Sequence, residues 1–461
     1  MLRLLPALWL VLIFSPPCDS QNLDGAWRSE GYGYVFEIQG NIMQAFEVTA
    51  TTCVPGFSAR RDPTRVADRE ATFGNEDDVY FVRTGGTADY RRLHNDGAAS
   101  DIRIRRLPHK PAVCDPPTRN TPIDNFEVFA RTWAENYISF DLKHADWKKV
   151  VDENRARITP STTPAELFDI LESMIEPFGD AHTSLRAADM KRGFTGLRPG
   201  TDRIVKESVG NAGIGAFRND GMPKLLALTD RLYLHGPLRV FCNQRIQYGH
   251  IDDHTGYLRI ISFSNYAKGG FGKGLEALEA ALDEIFSGAG LHALVIDVRI
   301  NFGGDDPYGL AIASRLATHE YLAYTKEARA DPVKRDVWSA GDPSVVKPSS
   351  RPGFRGPVVL LTGPLTISAG ETFTQALMGR TPHVTRIGEN TQGVFSDVLG
   401  RRLPNGWRFG LPNEVYRTPD GKTFDGPGIP PDVEVPVFSA RDIAAEKDPA
   451  MAKALAMIGK P

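Results

Sequence analysis

No CxxC pair and no Cys/His cluster occurs in this sequence, which removes the ligand spacings of a structural zinc site. No basic tract occurs either. The 54 Lys and Arg residues are offset by 57 Asp and Glu residues, a formal net charge of -3, so there is no electrostatic footprint for nucleic acid. Nowhere does an apolar run approach the roughly 20 residues that a membrane span requires. Neither a metal nor any other cofactor is expected. His250-Ile-Asp-Asp-His254 is the nearest approach to a metal motif, but it leads directly into the strand-like Gly256 to Phe263 and reads as a polar turn.

Cysteine is scarce, with four residues in 461. Arg3, the apolar run Leu4 to Phe14 and the following Ser-Pro-Pro-Cys18-Asp-Ser20 read as a secretory signal peptide cleaved after Ser20, with a lipoprotein anchor at Cys18 as the alternative. Export to a periplasmic or extracellular space then implies an oxidising compartment. Cys53 and Cys114 share the N-terminal segment and are expected to pair, which leaves Cys242 as a buried free thiol.

The stretch Gly356 to Gly379 organises the rest of the chain. Val358 to Leu361 form a continuous apolar run suited to a strand buried on both faces, and Gly363-Pro364 breaks it. A helix then restarts with Phe373, Ala376 and Leu377 on one stripe and Ser368 at its mouth. Free backbone N–H groups and the helix dipole favour negative charge there, which is what a nucleophile attacking a carbonyl needs. The plain structural reading is a capping box, with Ser368 as N-cap and Glu371 as its partner. Upstream, Ala293 to Val298 reads as a second buried strand ending in a Gly303-Gly304 turn. The order helix, strand, glycine turn, helix, strand, Ser368 turn, helix predicts an α/β sheet with right-handed crossovers, and ligands collect at the strand ends of such sheets.

Five segments follow from the patterning: a leader over 1–20, a small antiparallel β domain over 21–115, helices over 116–188, a glycine-punctuated β-rich connection over 189–255, and an α/β unit over 256–461. Within the helical part, Phe126, Phe129, Trp133 and Tyr137 mark one face, and Thr163-Pro-Ala-Glu166 opens a further helix as a capping box. That helix leads to the loop Gly179-Asp180-Ala-His182-Thr183. Tyr321 to Gly356 reads as a long Pro/Gly/Lys-rich connection, and Asp448-Pro449 opens a closing helix.

From about Phe126 to Ile458 the chain resembles the tail-specific, or C-terminal-processing, serine peptidases, in the branch with the tricorn core and the interphotoreceptor retinoid-binding protein. Four motifs in order carry the resemblance: Gly-Asp-Ala-His182-Thr, Asp297-Val-Arg-Ile-Asn-Phe-Gly303-Gly304, Thr366-Ile-Ser368-Ala-Gly-Glu371 and Phe424-Asp425-Gly-Pro-Gly-Ile-Pro-Pro-Asp432. The resemblance implies a crotonase-like (ClpP/crotonase) α/β core and hydrolysis of peptide bonds in peptides or proteins. In one branch a lysine serves as base, but Val394 stands at its place in Thr391-Gln-Gly-Val-Phe395. In the other the base is a histidine, which His182 matches. The resemblance therefore implies Ser368 as nucleophile, His182 as base and Asp425, where the family usually has glutamate, as the acid. Oxyanion donors would be the backbone N–H groups of Ala369 and of Gly303 or Gly304, with Glu371 and Asp180 as rival carboxylates. A carboxylate partner would hold the histidine slightly above its ordinary value of ~6.5. A secreted ligand carrier on the same fold, or an esterase, is the alternative. No PDZ pattern is evident over 189–255. Oligomeric state is not legible.

Overall fold

The computed structural model describes residues 23–67, 70–76, 78–84, 87–288 and 290–458. The leader expected over 1–20 lies outside the described residues. Eight antiparallel strands between Gly25 and Leu107 close into a barrel, the first pairing with the last through Ala26↔Leu107 and Trp27↔Arg106. Closure is possible because alternate residues point inward. Trp27, Phe36, Ile38, Met43, Phe73, Val82 and Leu93 fill the interior, where each buried large apolar side chain contributes about 1.5–3 kcal/mol. Cys53 is joined to Cys114 as expected, and Cys242 is free and buried.

Helices Pro122–Asn136, Trp147–Arg155 and Pro164–Ile175 come next, the last opened by the Thr163/Glu166 capping box that the sequence foretells. They pack an aromatic core of Phe129, Trp133, Tyr137, Trp147 and Phe178. The segment expected as short strands after Met190 is largely helical: Pro199–Val209 and Met222–Tyr233 are helices, and strands resume only at Arg239. The glycines that suggested strand breaks are helix boundaries instead, with Gly210 and Gly213 at positive φ, and Ile204, Val205, Leu225 and Leu228 supply the buried stripe.

The central sheet has seven strands whose spatial order equals their chain order: Arg239–Phe241, Ile246–His250, Thr255–Ile260, Ala293–Asp297, Val358–Thr362, Val384–Gly388 and Val433–Glu434. From Thr255–Ile260 onward all neighbours run parallel, joined by crossovers that carry helices Phe271–Phe286, Asp306–Leu316 and Ala369–Leu377. This is the mixed α/β alternation that the sequence predicts. The supposed long connection Tyr321 to Gly356 instead holds two paired strands, Tyr321–Ala328 and Asp342–Val346, the first also pairing with Glu414–Arg417. Its prolines and glycines had masked a strand whose alternate residues are buried.

One buried ion pair fixes the exit of the strand Ala293–Asp297. Arg299, 1% exposed, reaches Asp297 at 2.7 Å and Asp448 at 2.6 Å, and Asp448 also accepts from Thr229 Oγ1 at 2.8 Å. It thereby ties the closing helix Pro449–Ile458 to the loop that leads to Gly303. Removing Arg299 leaves two carboxylates buried without their cation. Arg299→Ala is expected to lower unfolding free energy by about 3–5 kcal/mol in a denaturant titration, and a loss within about 1 kcal/mol would show the pair to be marginal.

Candidate active site

The strand Val358–Thr362 ends in a short second strand, Leu365–Thr366, which pairs in parallel with Ile300–Asn301 beyond the neighbouring strand end. That ladder places the two loops foreseen from sequence against each other. A Cβ on Gly303 would lie 2.7 Å from the Ser368 Cβ and 3.1 Å from the Ala369 nitrogen, so only glycine fits. Ser368 itself has φ 55° and ψ -120°, a conformation that costs a non-glycine residue on the order of 1–3 kcal/mol. Such strain persists where the surroundings hold it, and they do: Ile367 N–H donates to Asn301 O at 3.0 Å, and Ser368 N–H donates to Glu371 Oε2 at 3.3 Å.

Helix Ala369–Leu377 begins immediately after the serine, so the Ala369 N–H has no acceptor within the helix. Of the two glycines, Gly303 donates its N–H to Asn301 Oδ1 at 2.9 Å and is thereby engaged. Gly304, at φ 137°, lines a cavity of about 450 Å³ together with Ser368 and His182.

His182 is 8% exposed, on a loop shaped by Asp180. The Asp180 carboxylate accepts the His182 N–H at 2.9 Å, and its carbonyl accepts from Thr183 Oγ1 at 2.7 Å. The strand that follows, Ser184–Ala187, is anchored by pairing with Arg408–Pro412. Burial holds the imidazole below its ordinary value, and Asp180 and Asp397, which pull the other way, do not overcome it. This reverses the upward shift expected from a carboxylate partner. The His182 Nδ1 is buried with no hydrogen-bond partner among the described residues.

Asp425 lies partly open to solvent, where its Oδ1 accepts the Phe395 N–H at 3.4 Å. Desolvation, then the Asp180 charge, push its carboxyl up to about 7. Asp425 and His182 share Asp180 and Arg198 as electrostatic neighbours, but the carboxylates that act on the imidazole are Asp180 and Asp397. Glu371 is fully buried, and desolvation pushes it up to about 7 although it accepts from Gly393 N–H at 2.6 Å and Val394 N–H at 2.8 Å. It latches the segment 391–395 onto the serine turn. Val394 is 1% exposed and offers no titratable group in that segment.

Sequence reasoning passed over Asp397. It stands half-exposed in the cavity wall, paired with the buried Lys326, which also lies 3.2 Å from Glu414. Burial opposes the Lys326 charge, yet Asp397 and Glu414 outweigh it and hold the ammonium well above its ordinary value. Tyr416 Oη extends the chain to Asp397 at 3.1 Å and Asp306 at 2.9 Å. These residues come from separate elements far apart in sequence, and no local spacing announces them.

The family model described as Peptidase family S41 matches residues 254–435, and that of the tricorn protease C1 domain matches 119–176. Among curated relatives, carboxyl-terminal-processing peptidase 2 of the Arabidopsis thaliana chloroplast is 25% identical over 227 residues, 49% of this chain and 41% of its own. The carboxy-terminal-processing protease of Bartonella bacilliformis is 27% identical over 188 residues, 40% of this chain and 39% of its own. The chain thus spans about two fifths of the length of the curated relatives it matches. The crystal structure of a putative peptidase from Parabacteroides merdae superposes with TM-score 0.60 at 25% identity, covering 74% of this chain and 98% of that one.

Glu371 has a role separable from chemistry. Replacing it by glutamine turns one acceptor oxygen into a donor facing backbone N–H groups, and each buried donor left unmet costs about 1–3 kcal/mol. Glu371→Gln is therefore expected to lose about 2–4 kcal/mol of stability and to slow labelling of Ser368 by a fluorophosphonate. An unchanged denaturation midpoint would show the latch to be unimportant.

Proposed function

We propose the following reaction for this chain, which belongs to peptidase family S41, the tail-specific serine-type peptidases: hydrolysis of peptide bonds through an acyl-enzyme on Ser368. One observation carries the proposal. Ser368 sits strained at a helix N-terminus and shares its cavity with His182.

His182 takes the Ser368 proton as the hydroxyl attacks a peptide carbonyl, then returns it to the leaving amine. The N–H groups of Ala369 and Gly304 hold the oxyanion, each donor worth on the order of 100- to 1000-fold in rate. Water resolves the acyl-enzyme with His182 again as base. Asp425 is the acid on the strength of its motif: among the described residues its carboxyl accepts one long hydrogen bond, and the His182 Nδ1 is without a partner. Contacts of this kind are often loose before substrate binds. A second reading makes Asp397 the acid, because its charge acts directly on the imidazole, although Lys326 already claims it. The α/β unit that carries these residues is assigned to the crotonase-like class on its chain-ordered parallel sheet and family. No described helix is long and apolar enough to cross a membrane.

Fluorophosphonate labelling followed by peptide mapping tests the nucleophile; modification at Ser368 is expected, and folded protein that takes no label overturns the assignment. His182→Ala is expected to cost about as much in kcat as Ser368→Ala, since members of one catalytic unit do not lose additively.

The pH profile separates the acids. His182 works unprotonated, and its value lies below the usual ~6.5, so its limb of kcat/KM falls away only at lower pH. Asp425 works ionised and titrates at about 7, so wild-type activity drops first near that pH. Asp425→Asn is expected to remove the limb near 7 and lower the plateau, whereas Asp397→Asn keeps the limb. A wild-type profile with no limb near 7, and a plateau lowered by Asp397→Asn but not by Asp425→Asn, makes Asp397 the acid, since burial raises its carboxyl but Lys326 holds it on balance below the ordinary value.

A further inference from the structure

A second cavity, of about 220 Å³, opens where the barrel meets the α/β unit. Tyr34, Phe57, Tyr80 and Ile102 line it from the barrel, with the Phe57 and Tyr80 rings stacked at 4.6 Å. Its far wall is the segment that carries Asp397 and Val398, and those two residues also line the cavity of Ser368 and His182. The two cavities therefore share one wall. Val398 stands 50% exposed at the junction, an apolar side chain with no core to enter.

Two observations identify the occupant. The cavity is smaller than the roughly 300 Å³ at which small-molecule sites begin, which suits one large side chain. Among its lining residues, Asn413, 2% exposed, has a buried Nδ2 and Asn95 a buried Oδ1, each without a hydrogen-bond partner among the described residues. An unmet donor and an unmet acceptor are what a single peptide unit satisfies through its carbonyl and N–H. On the floor one ammonium, Lys326, faces two carboxylates, Asp397 and Glu414, and Glu414 also accepts from Tyr32 Oη at 2.6 Å, which disfavours an anionic side chain. The aromatic lining suits an uncharged one.

We propose that the barrel mouth is a specificity pocket that takes an aromatic or large aliphatic residue of the peptide substrate, with Asn413 and Asn95 meeting its backbone. The inference rests on the peptidase reading. It gives the barrel the task of selecting which chains reach Ser368.

The test uses the full chain carrying Ser368→Ala, and binding rather than turnover. A soluble peptide of Ala, Gly and Ser is compared by calorimetry with versions that carry a single Phe scanned along it. At one position Phe is expected to tighten Kd about 10- to 100-fold, the range that burial of one large apolar side chain supplies. Phe57→Ser should abolish that gain. Should Phe57→Ser fail to fold, Ala98→Trp fills the mouth without removing a core atom and should abolish it equally. A flat scan, or a gain that survives Ala98→Trp, overturns the pocket. Ser368 labelling in the wild-type chain keeps the two readings apart: a labelled serine with a flat scan removes only the pocket, and an unlabelled serine removes the peptidase reading.

Discussion

Gly303 packed against Ser368 is the contact on which the site depends. The two loops come from adjacent parallel strands, and a side chain at position 303 would sit 2.7 Å from the serine Cβ. Asn301 is the fork that holds them together: its Nδ2 donates to Ile260 O at 2.8 Å, its Oδ1 accepts from Gly303, and its carbonyl accepts from Ile367. Three successive strand ends are thereby tied at one residue. The strained serine can persist because its neighbours on both sides are fixed before the helix begins. The Arg299–Asp448 pair anchors the same loop from behind.

Burial sets the electrostatics of this region, and hydrogen bonds decide which groups it leaves reactive. Glu371, Asp425 and Asp306 are each pushed up to about 7, foremost by desolvation. Their partners differ. Glu371 receives three backbone N–H groups and Asp306 receives the hydroxyls of Thr372 and Tyr416, so both are structural members of the first turns of their helices. Asp425 receives one N–H at 3.4 Å, which leaves its acceptor capacity open. His182 is held low by burial, and the carboxylates that act on it are Asp180 and Asp397.

What the sequence made legible was local. The strand, turn and helix around Ser368, the glycine turn and the two capping boxes each depend on residues within a few positions of one another, where spacing and backbone preference act directly. The Cys53–Cys114 bond was reachable because only three cysteines follow the expected leader. Reading by punctuation failed where glycine is ambiguous: between 199 and 233 it bounds helices, and in 321–356 prolines flank strands whose pairing is set by a partner some 90 residues away. The buried network of Tyr32, Lys326, Asp397 and Glu414 was out of reach for a different reason. Its members come from the barrel, two strands and a loop, and each is unremarkable alone. Charged groups placed at such a seam carry information only after the fold has brought them together, because a buried lysine is tolerable only beside its carboxylates. The barrel joins this network through one hydrogen bond, from Tyr32 Oη to Glu414 at 2.6 Å. Through Tyr32, Glu414 and Lys326 the N-terminal barrel is thus linked to Asp397 in the wall of the candidate site.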